Sequence, residues 1–91
     1  MEHSYIILYD LCAPNRNYDE LYKAIKAFGT WGKITESAWA VVTSWDCIKI
    51  RDYLMQYIDK DDRLFVLQSG QDAAWYRAIA ESEWFKINLV K

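Results

Sequence analysis

Histidine is nearly absent from this chain: His3, close to the N-terminus, is the only one in 91 residues. A Ser–His or Cys–His nucleophile pair would have to recruit it, so triad chemistry is not expected. Cysteine is sparse as well. Cys12 and Cys47 stand far apart with no companion His pair, which excludes a zinc finger and argues against a disulfide framework. Both are expected to be reduced and largely buried. An excess of basic charge is also missing, with eleven Lys and Arg against thirteen Asp and Glu and the basic residues scattered singly. Tight, sequence-independent nucleic-acid binding rests on phosphates neutralised by Lys and Arg, and no such patch is legible along the chain. No apolar run approaches the roughly 20 residues of a membrane span. The N-terminus lacks the layout of a signal peptide. The expectation is a cytoplasmic protein of bacterial type, with no membrane and no disulfide partner.

What the chain has in quantity is apolar surface. Hydrophobic residues make up 53% of it, and five Trp, seven Tyr and three Phe are a heavy aromatic load for one small domain spanning residues 1–91. The organising stretch is Tyr5-Ile6-Ile7-Leu8-Tyr9-Asp10, five large apolar or aromatic residues closed by a carboxylate. A strand apolar on both faces belongs at the centre of a sheet, covered on both sides. Asn17 then reads as a cap with Glu20 reaching back, ahead of a helix with Tyr18, Leu21, Tyr22, Ile25 and Phe28 on one face and Gly29 as terminator. Residues 31–36 read as an edge strand guarded by charges, and 37–43 as a second central strand, with a bulge or tight bend near Ser37.

Ser44 is expected to cap a second helix over 45–58, and 63–69 to form a fourth strand. The acidic turn between them, Asp59-Lys60-Asp61-Asp62, fails as an EF-hand loop. That loop needs Gly sixth and Glu twelfth, where Leu64 and Gly70 stand. It is read as a solvated turn. The tail from 71 to 91 suggests a short helix or turn near 73–80 and another helix near 82–89, whose aromatics cover the sheet's open face or a neighbouring subunit.

Strand, helix, strand, strand, helix, strand is the split βαβ arrangement, so the expected class is α+β, a ferredoxin-like βαββαβ domain. Its right-handed crossovers place two helices on one face of a four-stranded antiparallel sheet. The other face would be bare in a monomer. At about 25 cal/mol per Å², burying a few hundred Å² there is worth several kcal/mol, which predicts a sheet-face homodimer assisted by the tail.

Asp10 is the leading candidate for chemistry. One carboxylate holds Mg²⁺ poorly, but a two-fold axis beside the first strand would bring two copies together. The alternative is that Asp10 ends the strand and bonds amides of the following loop. Trp39, Trp75 and Trp84 could stack bases as single-strand binders do, or pack within a core or an interface.

Tyr9-Asp10-Leu11 followed by Pro14 in the loop, and the helix start Tyr18-Asp19-Glu20-Leu21-Tyr22, give the chain a family likeness. Over residues 4–70 it resembles the CRISPR-associated Cas-two endoribonucleases, the virulence-associated protein D toxins and the small bacterial proteins labelled "SinR family". The resemblance implies a ferredoxin-like homodimer acting as a metal-dependent endoribonuclease, with RNA as substrate. It implies Asp10 as catalytic carboxylate and Mg²⁺ ligand, Ser37 beside the cleft as a second catalytic residue, and Arg16 as the phosphate contact. Ser37 alternatively satisfies a bulge, and Arg16 alternatively lies exposed in its loop. The chain departs from the family in having Arg16 as the sole basic residue of that loop, and Ala38-Trp39-Ala40 after Ser37. These departures favour a second expectation, a non-catalytic homodimeric interaction or regulatory module.

Overall fold

The computed structural model describes residues 1–13 and 17–90. Strands β1 (His3–Asp10), β2 (Thr30–Thr35), β3 (Ala38–Thr43) and β4 (Arg63–Gln68) form one antiparallel sheet in the order β2-β3-β1-β4. Helix α1 (Asp19–Lys26) joins β1 to β2, α2 (Cys47–Met55) joins β3 to β4, and α3 (Ser82–Asn88) follows β4. The architecture is α+β. The doubly apolar strand β1 is central, paired with β3 on one side and β4 on the other.

Strand periodicity divides the sheet into two faces. On the first, Tyr5, Ile7 and Tyr9 of β1 and Trp39 and Val41 of β3 pack with Leu21, Ala24 and Ile25 of α1 and Ile50 and Leu54 of α2. This is the main core, and it places α1 and α2 on the same side. Lys33, expected to guard the β2 edge, instead lies on this face, with its Nζ 5.2 Å from the Trp39 ring centre and 3.4 Å from Glu36. The edge is protected by backbone. Ile79 and Ala80 donate their N–H groups to the carbonyls of Ile34 and Lys33 at 3.0 and 2.8 Å.

The second face is covered only in part. Phe85 and Leu89 bury Ala40, with Ile6, Ile34, Trp75 and Trp84 around them. Small residues make room there. A Cβ built on Gly32 would lie 2.8 Å from the Trp84 ring, so the close approach of α3 uses the glycine hydrogen. The tail therefore shelters the β2–β3 half of this face within the one chain.

Several local expectations are corrected. Asn17 accepts from the N–H of Asp19 at 2.8 Å, a short side-chain turn, and α1 has no side-chain cap from Tyr18 or reciprocal bond from Glu20. Asp46, rather than Ser44, caps α2, accepting from the Lys49 N–H at 2.8 Å. The N–H of Trp45 is bonded to Thr43 Oγ1, which holds the preceding residues in a turn and delays the helix. The tight bend expected near Ser37 is present, as the turn Glu36–Ser37 that joins Thr35 to its partner Ala38, and a register shift between Lys33 and Thr35 accompanies it. Of the helix or turn expected near 73–80 the turn is what forms: the chain bends at 76–77, where Arg77 takes φ +57°, and again at 79–80, where two backbone bonds tie it to β2. α1 ends at Lys26, with Ala27 as its C-cap, and Gly29 takes the left-handed φ of +89° in the turn that follows, before β2.

Candidate functional site

Asp10 is the last residue of β1 and faces Arg63, the first of β4, in direct register. Arg63 Nη1 donates to Asp10 Oδ2 at 2.8 Å, and both side chains are exposed, 75% and 63% respectively. An exposed pair of this kind contributes about 0–1 kcal/mol, so solvent screens it and little energy fixes it. Among the described residues the carboxylate accepts from no loop amide, and it is exposed. It lines an open hollow of about 340 Å³ with Leu8, Tyr9, Arg63, Leu64 and Phe65.

The residue that ties down the following loop is Asp62, in the turn read as solvated. Its Oδ1 accepts from the Cys12 N–H at 2.6 Å, and its Oδ2 accepts from the Tyr18 hydroxyl and the Asp59 N–H, both at 2.8 Å. One half-buried carboxylate thereby joins the end of β1, the approach to α1 and the turn before β4. Burial, then the bond to Asp62, raises the pKa of the Tyr18 phenol. Cys12 is exposed rather than buried, its sulfur 4.0 Å from Arg63 Nη1, while Cys47 is half-buried and both thiols are free.

Ser37 is exposed in the β2–β3 turn. Its carbonyl accepts from the Tyr9 N–H at 3.1 Å, extending the ladder one step beyond Leu8 and Ala38. Among the described residues no hydrogen bond joins Ser37 to Asp10. Ser37 lines a different groove, of about 450 Å³, whose walls include Ile6, Leu8, Ala38, Trp75 and Leu89. Leu8 separates the two hollows. The expected phosphate contact, Arg16, lies outside the described residues.

The aromatic candidates are packed. Trp39 is buried and its Nε1 donates to the Tyr9 hydroxyl at 2.7 Å, while that hydroxyl donates to the Glu36 carbonyl at 3.2 Å. Burial raises the Tyr9 pKa, and the Trp39 bond opposes the rise. Trp75 donates to Ser82 and sits 5.1 Å from Phe85, and Trp84 covers Gly32. Among the described residues of the chain, Asp10 has few of the ligands that Mg²⁺ takes. A single carboxylate already paired with a guanidinium supplies too few oxygen ligands, and no group of three or more His, Cys, Asp or Glu among the described residues could hold a metal ion.

The most prominent surface feature lies beside Asp10. In register across β1 and β4, Leu8 faces Phe65 and Ile6 faces Leu67, all on the second face of the sheet. Leu8, Phe65 and Leu67 are 39%, 62% and 36% exposed. These neighbours form one apolar strip that the tail leaves bare. No helix among the described residues is long and apolar enough to cross a membrane. No protein-family model matches the chain, and no curated protein matches it.

Proposed function

We propose that this chain is a ferredoxin-like, homodimeric interaction module, allied in plan to the Cas-two-like and virulence-associated protein D-like proteins that its sequence resembles. The element order and the antiparallel strand order β2-β3-β1-β4 support the ferredoxin-like reading. The observation that carries the dimer is the bare strip of Leu8, Phe65 and Leu67 on the inner strand and its edge neighbour. Contiguous exposed apolar surface marks an interaction site, and fully burying each such side chain is worth about 1.5–3 kcal/mol. A single apolar-to-charged change in the strip tests it. Wild type is expected to sediment as a dimer at micromolar concentration, and Leu8→Asp as a folded monomer. A wild type that stays monomeric throughout that range contradicts the reading.

A second reading, a metal-dependent endoribonuclease acting on RNA, is favoured by one observation: Asp10 ends the inner strand beside an open hollow together with a cation, Arg63. Chemistry of this kind would need two protomers to assemble a Mg²⁺ site. Its test is RNA cleavage with Mg²⁺ and with EDTA, in wild type and Asp10→Ala. Loss of cleavage in both the EDTA and the Asp10→Ala arms supports it, and equal residual activity of the two proteins discards it.

A further inference from the structure

We infer that Asp10 and Arg63 exchange partners across the dimer axis, so that Arg63 of each protomer pairs with Asp10 of the partner subunit. The inference rests on the homodimer reading above and specifies its polar contact.

The exposed strip is a set of cross-strand rows. Leu67 stands beside Ile6, which the tail packs against, Leu8 with Phe65 is the exposed apolar row, and the next row, two residues further along each strand, is Asp10 with Arg63. Side chains two apart on a strand share a face, so the ion pair is the charged end of the apolar strip. A two-fold interface applies one surface to itself, so the surface must be self-complementary. One anion beside one cation at the end of an apolar strip meets that condition. Rotation can lay the cation of one copy over the anion of the other.

The balance also selects the occupant. RNA calls for a surplus of cations, whereas this row sums to zero and the whole chain carries −2. Setting two Asp10 carboxylates face to face would oppose like charges on the axis. Exchange avoids that repulsion and gives up only a screened surface pair, since both side chains are more than half exposed. Once covered by a second copy, the same two charges would lose water and interact more strongly. The exchanged pair would thereby fix the register of a strip that is otherwise featureless and apolar.

The test uses the full chain. Asp10→Asn should weaken self-association by at least about tenfold in Kd, as loss of one partner of an interfacial pair does. Facing carboxylates predict the opposite, a tighter dimer, because the substitution removes repulsion. Asp10→Arg and Arg63→Asp should each be monomeric alone and should combine into a mixed dimer, seen by native mass spectrometry, at an affinity close to wild type. Both substitutions fall on exposed side chains, and far-ultraviolet circular dichroism checks that each variant folds. A dimeric wild type whose Asp10→Asn variant associates equally well or better overturns the exchange while leaving the homodimer standing. A dimeric wild type whose charge-reversed variants form no mixed dimer overturns it too. A monomeric wild type removes the homodimer reading itself, and the exchange with it.

Discussion

The two halves of the second sheet face are built on opposite plans. Over β2 and β3 the sheet presents Gly32, Ala38 and Ala40, and the chain's own Trp84, Phe85 and Leu89 fold down onto it. Over β1 and β4 it presents Leu8, Phe65 and Leu67, and these stay open. Small strand residues leave depth for aromatic rings from elsewhere in the same chain. Large strand residues already fill that depth, so a flat surface closes over them better than another ring does. Side-chain volume on the sheet thus goes with where the chain covers itself and where it leaves apolar surface open.

The largest effect should come from breaking the self-covered half. Phe85→Ala is expected to cost about 3–5 kcal/mol in urea unfolding, because a buried aromatic leaves a cavity against Ala40. A cost below about 1 kcal/mol would mean that α3 is not part of the cooperative fold.

The first face, sealed by α1 and α2, offers a pH test that the bare strip does not. Burial raises the pKa values of Tyr5, Tyr9 and Tyr18 above the ordinary 10.0. A phenol with a raised folded-state pKa contributes stability fully present below about pH 10 and lost as pH rises through the raised value. The urea midpoint should therefore hold level up to about pH 9 and fall at higher pH, less steeply in Tyr18→Phe. An equally steep fall in both proteins would dismiss the contribution of Tyr18.

The smallest effect on the isolated protomer is expected from Phe65→Ala. In dilute solution its unfolding free energy should stay within about 0.5 kcal/mol of wild type, as for most exposed positions. A loss of several kcal/mol at a concentration where only monomer exists would place Phe65 in the core after all.

Much of this arrangement is legible in the chain itself. The doubly apolar run from Tyr5 to Tyr9 marks a strand paired on both sides, and the helical spacing of Leu21 and Ile25 marks the buried stripe of α1. Asp10 at the end of its strand is equally readable. Its partner is not, because Arg63 meets it only once β4 is laid antiparallel on β1. The clasp made by Asp62 escapes for a related reason. An acidic turn looks solvated until the Cys12 amide and the Tyr18 hydroxyl arrive from more than 40 residues away, as the 50- and 44-residue separations of these bonds require. The run at 73–80 reads as a helix or a turn; the amides of Ile79 and Ala80 at its end are taken by β2 carbonyls, a non-local pairing that local periodicity does not encode. The cap of α2 was open to reading: Asp46 stands three residues before the amide it accepts from, the usual spacing of an N-cap.

Methyl NMR with a soluble paramagnetic probe reaches the bare strip most directly. On raising the protein concentration through the micromolar range, the Leu8 and Leu67 methyls should lose their probe-induced relaxation, while Ile48 on α2 and Ile87 on α3, both well exposed, keep theirs. Equal probe access at Leu8 and Leu67 in dilute and concentrated samples would contradict a partner on that half of the sheet.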